Sequence, residues 1–276
     1  YFDAREGIGD WISEGYDASS WENATEYAIG GEGDYGSLYP RGIPFLKDYG
    51  LKDYENSKDF ENHTVKKLFG EKITVDIPYN AQLTPYLKII APAGKKIRIT
   101  TENTLIGAVS ATYITKEGEQ EFEALGWFNG EHITYKIPKG VTVVSLMYRE
   151  TGYDSSFCGN FKCDDEFLNS LWQKSLRTLY VTMRDNFMDC PDRERAQWWG
   201  DVTNEMVMTM YAMDSNSYLL YQKGVEDMLS HLDGSDILQT VVPISGDYFE
   251  LPVQQLAGIV GFLTYYQYTG DKAFLE

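Results

Sequence analysis

The sequence predicts a β-then-α chain: an antiparallel β-sandwich followed by a series of helices forming a bundle or an α/α toroid. Three observations lead there. The first half alternates apolar and polar residues with period 2, the pattern of strands with one buried face. After about residue 158 the apolar spacing changes to three and four, the pattern of helices with one buried stripe. The connections are short and punctuated by Gly and Pro, which suits antiparallel strands and then helices packed in series.

Taken in order, Leu38-Tyr-Pro-Arg-Gly-Ile-Pro44 reads as a connector, and residues 1–37 as the tail of an upstream accessory β module. Residues 38–157 are expected to form the sandwich. Its strands are Lys72–Ile77, Tyr86–Ile90, Lys96–Thr101, His132–Ile137 and Val141–Met147, with turns at Ala91-Pro-Ala-Gly94 and Pro138-Lys-Gly140. Residues 158–276 are expected to be helical. Asp164 or Asp165 can cap a helix whose stripe is Phe167, Leu168, Leu171, Trp172, Leu176, Leu179, Tyr180 and Met183. Thr203–Met213, Ser217–Leu232 and Leu256–Tyr268 read as three more, the last closed by Gly270-Asp271.

Composition narrows the function. In 276 residues, 42 Asp and Glu stand against 24 Lys and Arg, a formal net charge of −18. Counterion release, which drives phosphate binding, would have the wrong sign, so neither nucleic acid nor an anionic membrane is an expected partner. The 21 tyrosines and 6 tryptophans suit a neutral, hydroxyl-rich ligand, although many of these rings must be core. Three cysteines make no disulfide framework; Cys158 and Cys163 are close enough in sequence to pair, but so short a loop is geometrically demanding. His63, His132 and His231 lack metal-ligand spacing, so no histidine-built zinc site is expected. No apolar run reaches the length of about eighteen residues that a spanning helix needs. A start at Tyr1 and an end at Lys272-Ala-Phe-Leu-Glu276 read as a fragment of a longer protein.

The densest chemistry lies at Asp189-Cys-Pro-Asp-Arg-Glu-Arg-Ala-Gln-Trp-Trp-Gly-Asp201, in the link between the first two helices. Glycoside hydrolysis needs one carboxylic acid to protonate the leaving oxygen and a second carboxylate as base or nucleophile. Glu194 sits between Arg193 and Arg195, with Asp189, Asp192 and Asp201 supplying competing negative charge. Arg193 can fork onto a carboxylate or a sugar hydroxyl, and Trp198 and Trp199 can stack on a pyranose. The other reading is a salt-bridged loop capping a helix, with the indoles as core anchors and Asp201 as N-cap. Cys190 and Pro191 read as packing and a chain turn.

Asp189-Cys-Pro-x-Arg193-Glu194-Arg195-x-x-Trp198-x-Gly200-Asp201 resembles the signature of bacterial α-L-rhamnosidases of glycoside hydrolase family seventy-eight. Gly159-Asn-Phe161-x-Cys163-x-Asp165 followed by Leu168 and Trp172 is similar to that family's entry into its helical domain. Tyr1-Phe-Asp-Ala-Arg5, Gly15-Tyr-Asp-x-Ser-Ser-Trp21 and Pro40-Arg-x-Ile-Pro44 resemble its passage into the sandwich. The resemblance implies a sandwich followed by the first helices of an (α/α)6 barrel, and inverting hydrolysis of a terminal α-L-rhamnose from glycosides or polysaccharides. It implies Glu194 as general acid, Asp189, Arg193 and Asp201 as ligands of the sugar hydroxyls, and Trp198 as pocket wall. The general base, a later glutamate in the family, is expected beyond residue 276, so this piece alone is expected to be inactive. Where many members carry Trp-x-Asp, this chain has Phe249-Glu250-Leu-Pro-Val-Gln254-Gln255. Glu250 is either a sugar contact or a carboxylate at a helix N-terminus. The rival functions are a related barrel glycosidase acting on another deoxy-sugar or a uronate, and a carbohydrate-binding relative without turnover. No cofactor is implied. The partner is a rhamnoside, and a periplasmic or secreted location is favoured over the cytoplasm.

Overall fold

The computed structural model describes residues 1–7, 9–26, 39–101, 109–232, 237–243 and 250–276. Leu38, most of the expected connector's upstream flank, and Phe249 lie outside the described residues. The strands are β1 (Phe2–Asp3), β2 (Lys47–Asp53), β3 (His63–Thr64), β4 (Glu71–Ala91), β5 (Lys96–Thr101), β6 (Ser110–Ile114), β7 (Gly118–Glu123), β8 (Phe128–Ile137) and β9 (Thr142–Gly152). They form one sheet in the order β1-β6-β5-β8-β4-β9-β2, with β3 on β9 and β7 on β4. Neighbours are antiparallel except β1 and β6, which run parallel, so the sheet is mixed.

One long strand lets this single sheet curl around one core rather than stack as two separate layers. β4 is 21 residues long and joins two of the expected strands. Its first part, to Leu83, pairs with β8; from Leu83 onward it pairs with β9, and from Tyr86 with β7. The change of partner follows a register shift between Asp76 and Ala81, which contains Pro78. Proline cannot donate to a ladder and is tolerated at such an irregularity, where a bulge bends the strand. The sheet curls there, and alternate residues on both sides of the bend face one core. Ile73, Val75, Ile77, Leu83, Leu87 and Ile89 of β4 pack with Ile97, Ile99, Ile133, Tyr135 and Val143.

Four helices follow: α1 (Glu166–Val181), α2 (Trp199–Ala212), α3 (Asn216–Ser230) and α4 (Pro252–Thr269). Asp165 caps α1, its carboxylate accepting from the N–H groups of Phe167 and Leu168. Gly270 ends α4 in the left-handed conformation at φ 69°, which a Cβ would disfavour. A second core joins Leu176, Leu179, Tyr180, Trp199, Val202, Met206, Leu220, Tyr221 and Tyr265. The predicted stripe of α1 is buried only in its second half. Phe167 is 71% exposed and Leu168 and Leu171 are exposed as well, because the sheet contacts α1 only towards its C-terminal end. Val253, Leu256, Ile259, Val260 and Leu263 of α4 are likewise exposed. Cys158, Cys163 and Cys190 are all free, so the short loop from Cys158 to Cys163 is not bridged. No helix among the described residues is long and apolar enough to cross a membrane.

The two cores meet at buried polar groups. Gln82 of β4 donates from Nε2 to the carbonyls of Val181 and Met183, both at 2.9 Å, and its Oε1 accepts from Arg184 Nη1 at 2.7 Å. Arg177 of α1 binds Glu150 of β9 at 2.9 Å, and Lys52 of β2 reaches the same carboxylate at 2.6 Å. Burial alone would raise the Glu150 carboxyl, but its two cations outweigh that and hold it below the usual range. Gly152 admits the Tyr180 ring, which a Cβ would meet at 2.5 Å, and the Tyr180 hydroxyl donates to the Tyr153 carbonyl at 2.8 Å. Replacing Gln82 by Leu keeps the volume but leaves two carbonyls and a guanidinium without their partner. We expect Gln82→Leu to cost about 2–4 kcal/mol in denaturant unfolding; a loss within error of zero would show that the junction does not depend on the amide.

Candidate active site

Residues 182–198 connect α1 to α2 and are folded by contacts at both ends. Asp189 and Ala196 close a loop: the Asp189 N–H donates to the Ala196 carbonyl, and the Ala196 N–H donates to Asp189 Oδ1, each at 3.0 Å. Arg195 sits at φ 54°, a left-handed conformation that costs a side-chain-bearing residue about 1–3 kcal/mol. Its side chain holds the turn in place. Arg195 Nε donates to the Pro191 carbonyl at 2.9 Å and Nη2 to the Trp127 carbonyl at 3.2 Å. The guanidinium lies 3.4 Å from the centre of the Trp127 ring, and Arg184 stands 4.8 Å from the same ring. Stacking on an indole suits the weakly hydrated guanidinium. Burial lowers both arginines, Arg184 to about 10 with repulsion from Arg195 added.

Inside this loop Asp189, Cys190, Arg193 and Glu194 come together. Arg193 forms an ion pair with Glu194 Oε1, and the Cys190 thiol donates to Glu194 Oε2 at 3.0 Å. The Arg193 bond, then the Cys190 bond, lower the exposed Glu194 carboxyl to about 2. Asp189 moves the other way: burial raises its carboxyl, and the neighbouring Glu194 adds to the rise. Asp189, Cys190 and Glu194 present ligand atoms within 4.8 Å of one another, a set that could close on a cation. Burial pushes the Cys190 thiol up, however, which disfavours the thiolate that soft metals prefer.

The indoles part company. Trp199 is fully buried and meets Tyr221 edge-on, whereas Trp198 is half-buried and its backbone bridges Val241. Asp201 is not the N-cap of α2; that position is Trp198, which makes no side-chain cap. The reason lies in α4, where Gln254 Oε1 accepts from the Gly200 N–H and so caps α2 from outside. Asp201 instead lies in the first turn, where the helix dipole favours a carboxylate. Glu250 is exposed just ahead of α4 and shares no hydrogen bond or ion pair with the loop among the described residues. A cavity of 340 Å³ is lined by Glu194, Arg195, Gln197, Lys223, Asp227 and His231 among others. Lys223, bound to Asp227 at 2.7 Å, escaped the sequence reading because it lies on a different helix, α3, with no motif around it. Glu205, one turn after Asp201, escaped it too.

Residues 156–276 match the model of the bacterial α-L-rhamnosidase six-hairpin glycosidase domain. An α-L-rhamnosidase of Formosa agariphila is 28% identical over 255 residues, 84% of this chain and 25% of that protein. The chain thus spans about a quarter of the length of this curated relative. The α-L-rhamnosidase of Dictyoglumus thermophilum superposes with a TM-score of 0.80 at 22% identity, covering 99% of this chain and 31% of the other. The Streptomyces avermitilis enzyme, solved with L-rhamnose, gives 0.76 at 19%, covering 99% and 27%.

The depressed Glu194 carboxyl has a pH consequence. Its contribution to stability is present above the ordinary glutamate range and is lost as pH falls through about 2. NMR of isotope-labelled glutamate should show Glu194 titrating at about 2 and moving up towards the ordinary value in Arg193→Gln. An unchanged midpoint in that variant would mean the ion pair is not the cause.

Proposed function

We propose that this chain, a homologue of the α-L-rhamnosidases over part of their length, carries the acid side of an inverting exo-glycosidase that removes terminal α-L-rhamnose. The observation that supports this most is the loop from Asp189 to Ala196, which holds Glu194 on a cavity wall with a guanidinium attached. Glu194 is the general acid. Asp189, Arg193 and Asp201 are assigned to the sugar hydroxyls and Trp198 to the sugar face by their place in the motif; of the motif's assigned residues only Glu194 lines the cavity described above.

An acid held at about 2 is ionised at neutral pH and has no proton to give. The sugar supplies the remedy. When its hydroxyls draw Arg193 away and its ring displaces water, Glu194 loses its main stabilising partner and becomes desolvated, both of which raise its pKa. Asp189 acts the other way, its hydrogen bond holding Glu194 down, so the rise comes from the loss of Arg193 and from desolvation. Glu194 then gives its proton to the glycosidic oxygen as the bond from that oxygen to the anomeric carbon breaks. Water adds from the opposite face and loses its proton to a carboxylate base roughly 6.5–9.5 Å away. We assign that base to a glutamate outside these 276 residues. A barrel glycosidase acting on another deoxy-sugar or a uronate would use the same acid, and a panel of aryl glycosides separates the two.

One observation favours a second reading. Glu194 locked by Arg193 is also what a carbohydrate-binding protein without turnover would keep. In the complete enzyme, Glu194→Gln should lower hydrolysis of aryl α-L-rhamnosides by about 10²–10⁴-fold or more with an unchanged circular dichroism spectrum. Near-normal turnover in that variant would remove Glu194 from the chemistry, and an inactive parent would leave only binding.

A further inference from the structure

Cations collect at one end of the curled sheet, although the chain as a whole carries a net charge of −18. Lys72 of β4 stands directly opposite Lys136 of β8, and Lys136 directly opposite Arg98 of β5. All three are exposed on the outer face, while Ile73, Ile97 and Ile137 next to them in sequence turn into the core. Lys96 lies two residues before Arg98 and so on the same face. Lys95 and Lys139 come from turns, and with Lys72, Lys96 and Lys136 they line an open depression of about 460 Å³. Among the described residues none of these cations forms an ion pair. Glu71, the acidic residue of the same depression, is engaged by Lys67 and His63, each at 2.9 Å.

Like charges directly opposite one another cost a sheet stability, so folding alone would not select this row. The segments around it are fixed in place. Gly70, at φ 78°, lies so close to the end of β8 that a Cβ would meet the Ile137 carbonyl at 2.6 Å. That turn presents Phe69, 99% exposed, beside the lysines. The Lys95 N–H donates to the Thr115 hydroxyl at 2.9 Å, and the Gly140 N–H, next to Lys139, donates to the Val65 carbonyl at 2.9 Å.

Charge complementarity calls for a polyanion, and the surroundings select its shape. A nucleic-acid duplex or a membrane is broad, so docking it here also brings its charge against the acidic remainder of the surface. A single polysaccharide strand can lie along the cations alone, with Phe69 packed on the apolar face of a sugar ring. We propose that this row of cations is a second carbohydrate site, which binds a polysaccharide bearing carboxylate or sulfate groups. Trp127, which stacks on Arg195, precedes β8. Lys136 lies near the other end of that strand, about 30 Å away at about 3.3 Å per residue. The site thus grips polymer at a distance from Glu194. Delivery of the polymer's end to Glu194 rests on the function proposed above; the binding does not.

The test titrates the complete protein with polygalacturonate, dextran sulfate and neutral dextran of matched length. At least one of the two anionic polymers should bind, more weakly as salt rises, and dextran should not; the one that binds tells carboxylate from sulfate. Lys72→Gln combined with Lys136→Gln should weaken that binding about 10-fold or more. Lys72→Arg combined with Lys136→Arg should keep most of it. The Gln pair also removes repulsion between strands, so its Tm without polymer should equal or exceed the parent's; a markedly lower Tm would assign the lysines to the fold instead. Undiminished binding in the Gln pair, equal binding of neutral dextran, or tighter binding to phosphatidylglycerol vesicles or duplex DNA would overturn the proposal. Hydrolysis of a small aryl α-L-rhamnoside should be unchanged in the Gln pair, since neither lysine lines the cavity at Glu194. Intact hydrolysis without lysine-dependent polymer binding defeats the proposal alone. Lysine-dependent binding by a protein inert towards rhamnosides defeats only the functional reading.

Discussion

The amide of Gln82 fixes where the helices stand relative to the sheet. It lies in β4 at the point where that strand changes partners from β8 to β9, and all of its bonds go to the stretch from Val181 to Arg184. Buried amides are costly unless fully paired, so the end of α1 has little freedom to slide. Arg184 then carries the constraint outward. It shares the Trp127 ring with Arg195, and Arg195 holds the turn that contains Glu194. The candidate acid is therefore referenced to the β-sheet, through two arginines and an indole, as firmly as to its own helices.

That arrangement addresses an electrostatic difficulty. A chain with net charge −18 places Asp189, Glu194, Asp201 and Glu205 in one neighbourhood, where four like charges would repel. The structure relieves this in different ways at each position. Arg193 neutralises Glu194, and the first turn of α2 supplies a favourable dipole to Asp201. Asp189 is partly buried and raised, and burial pushes the Glu205 carboxyl up as well. Groups with the same intrinsic chemistry are thus driven to different protonation behaviour by their surroundings, as acid/base chemistry requires.

Much of this was legible in the residues. Period-2 alternation located β5 at its observed bounds, and the cap at Asp165 located the start of α1. β2 and β7 left no such trace: Lys47-Asp-Tyr-Gly-Leu-Lys-Asp53 and Gly118-Glu-Gln-Glu-Phe-Glu123 are too charged to resemble buried strands, and they pair through backbone groups that sequence does not display. The continuity of β4 was hidden by Pro78, which in isolation marks a break. The cluster of Asp189, Arg193 and Glu194 was legible because its members are neighbours in sequence. Asp201 as N-cap was a sound local inference that failed for a non-local reason, since Gln254 arrives from α4. Lys223 and Glu205 could be found only once helices were packed.

The central proposal is that Glu194, held ionised by Arg193, becomes a protonated acid when a sugar takes Arg193 away. The most direct measurement is the titration of labelled Glu194 in the complete enzyme with saturating L-rhamnose. The account predicts a midpoint that climbs from about 2 towards neutrality when the sugar is bound. A midpoint that stays at about 2 with the sugar in place would contradict it, leaving a site that grips a carbohydrate without the means to cleave it.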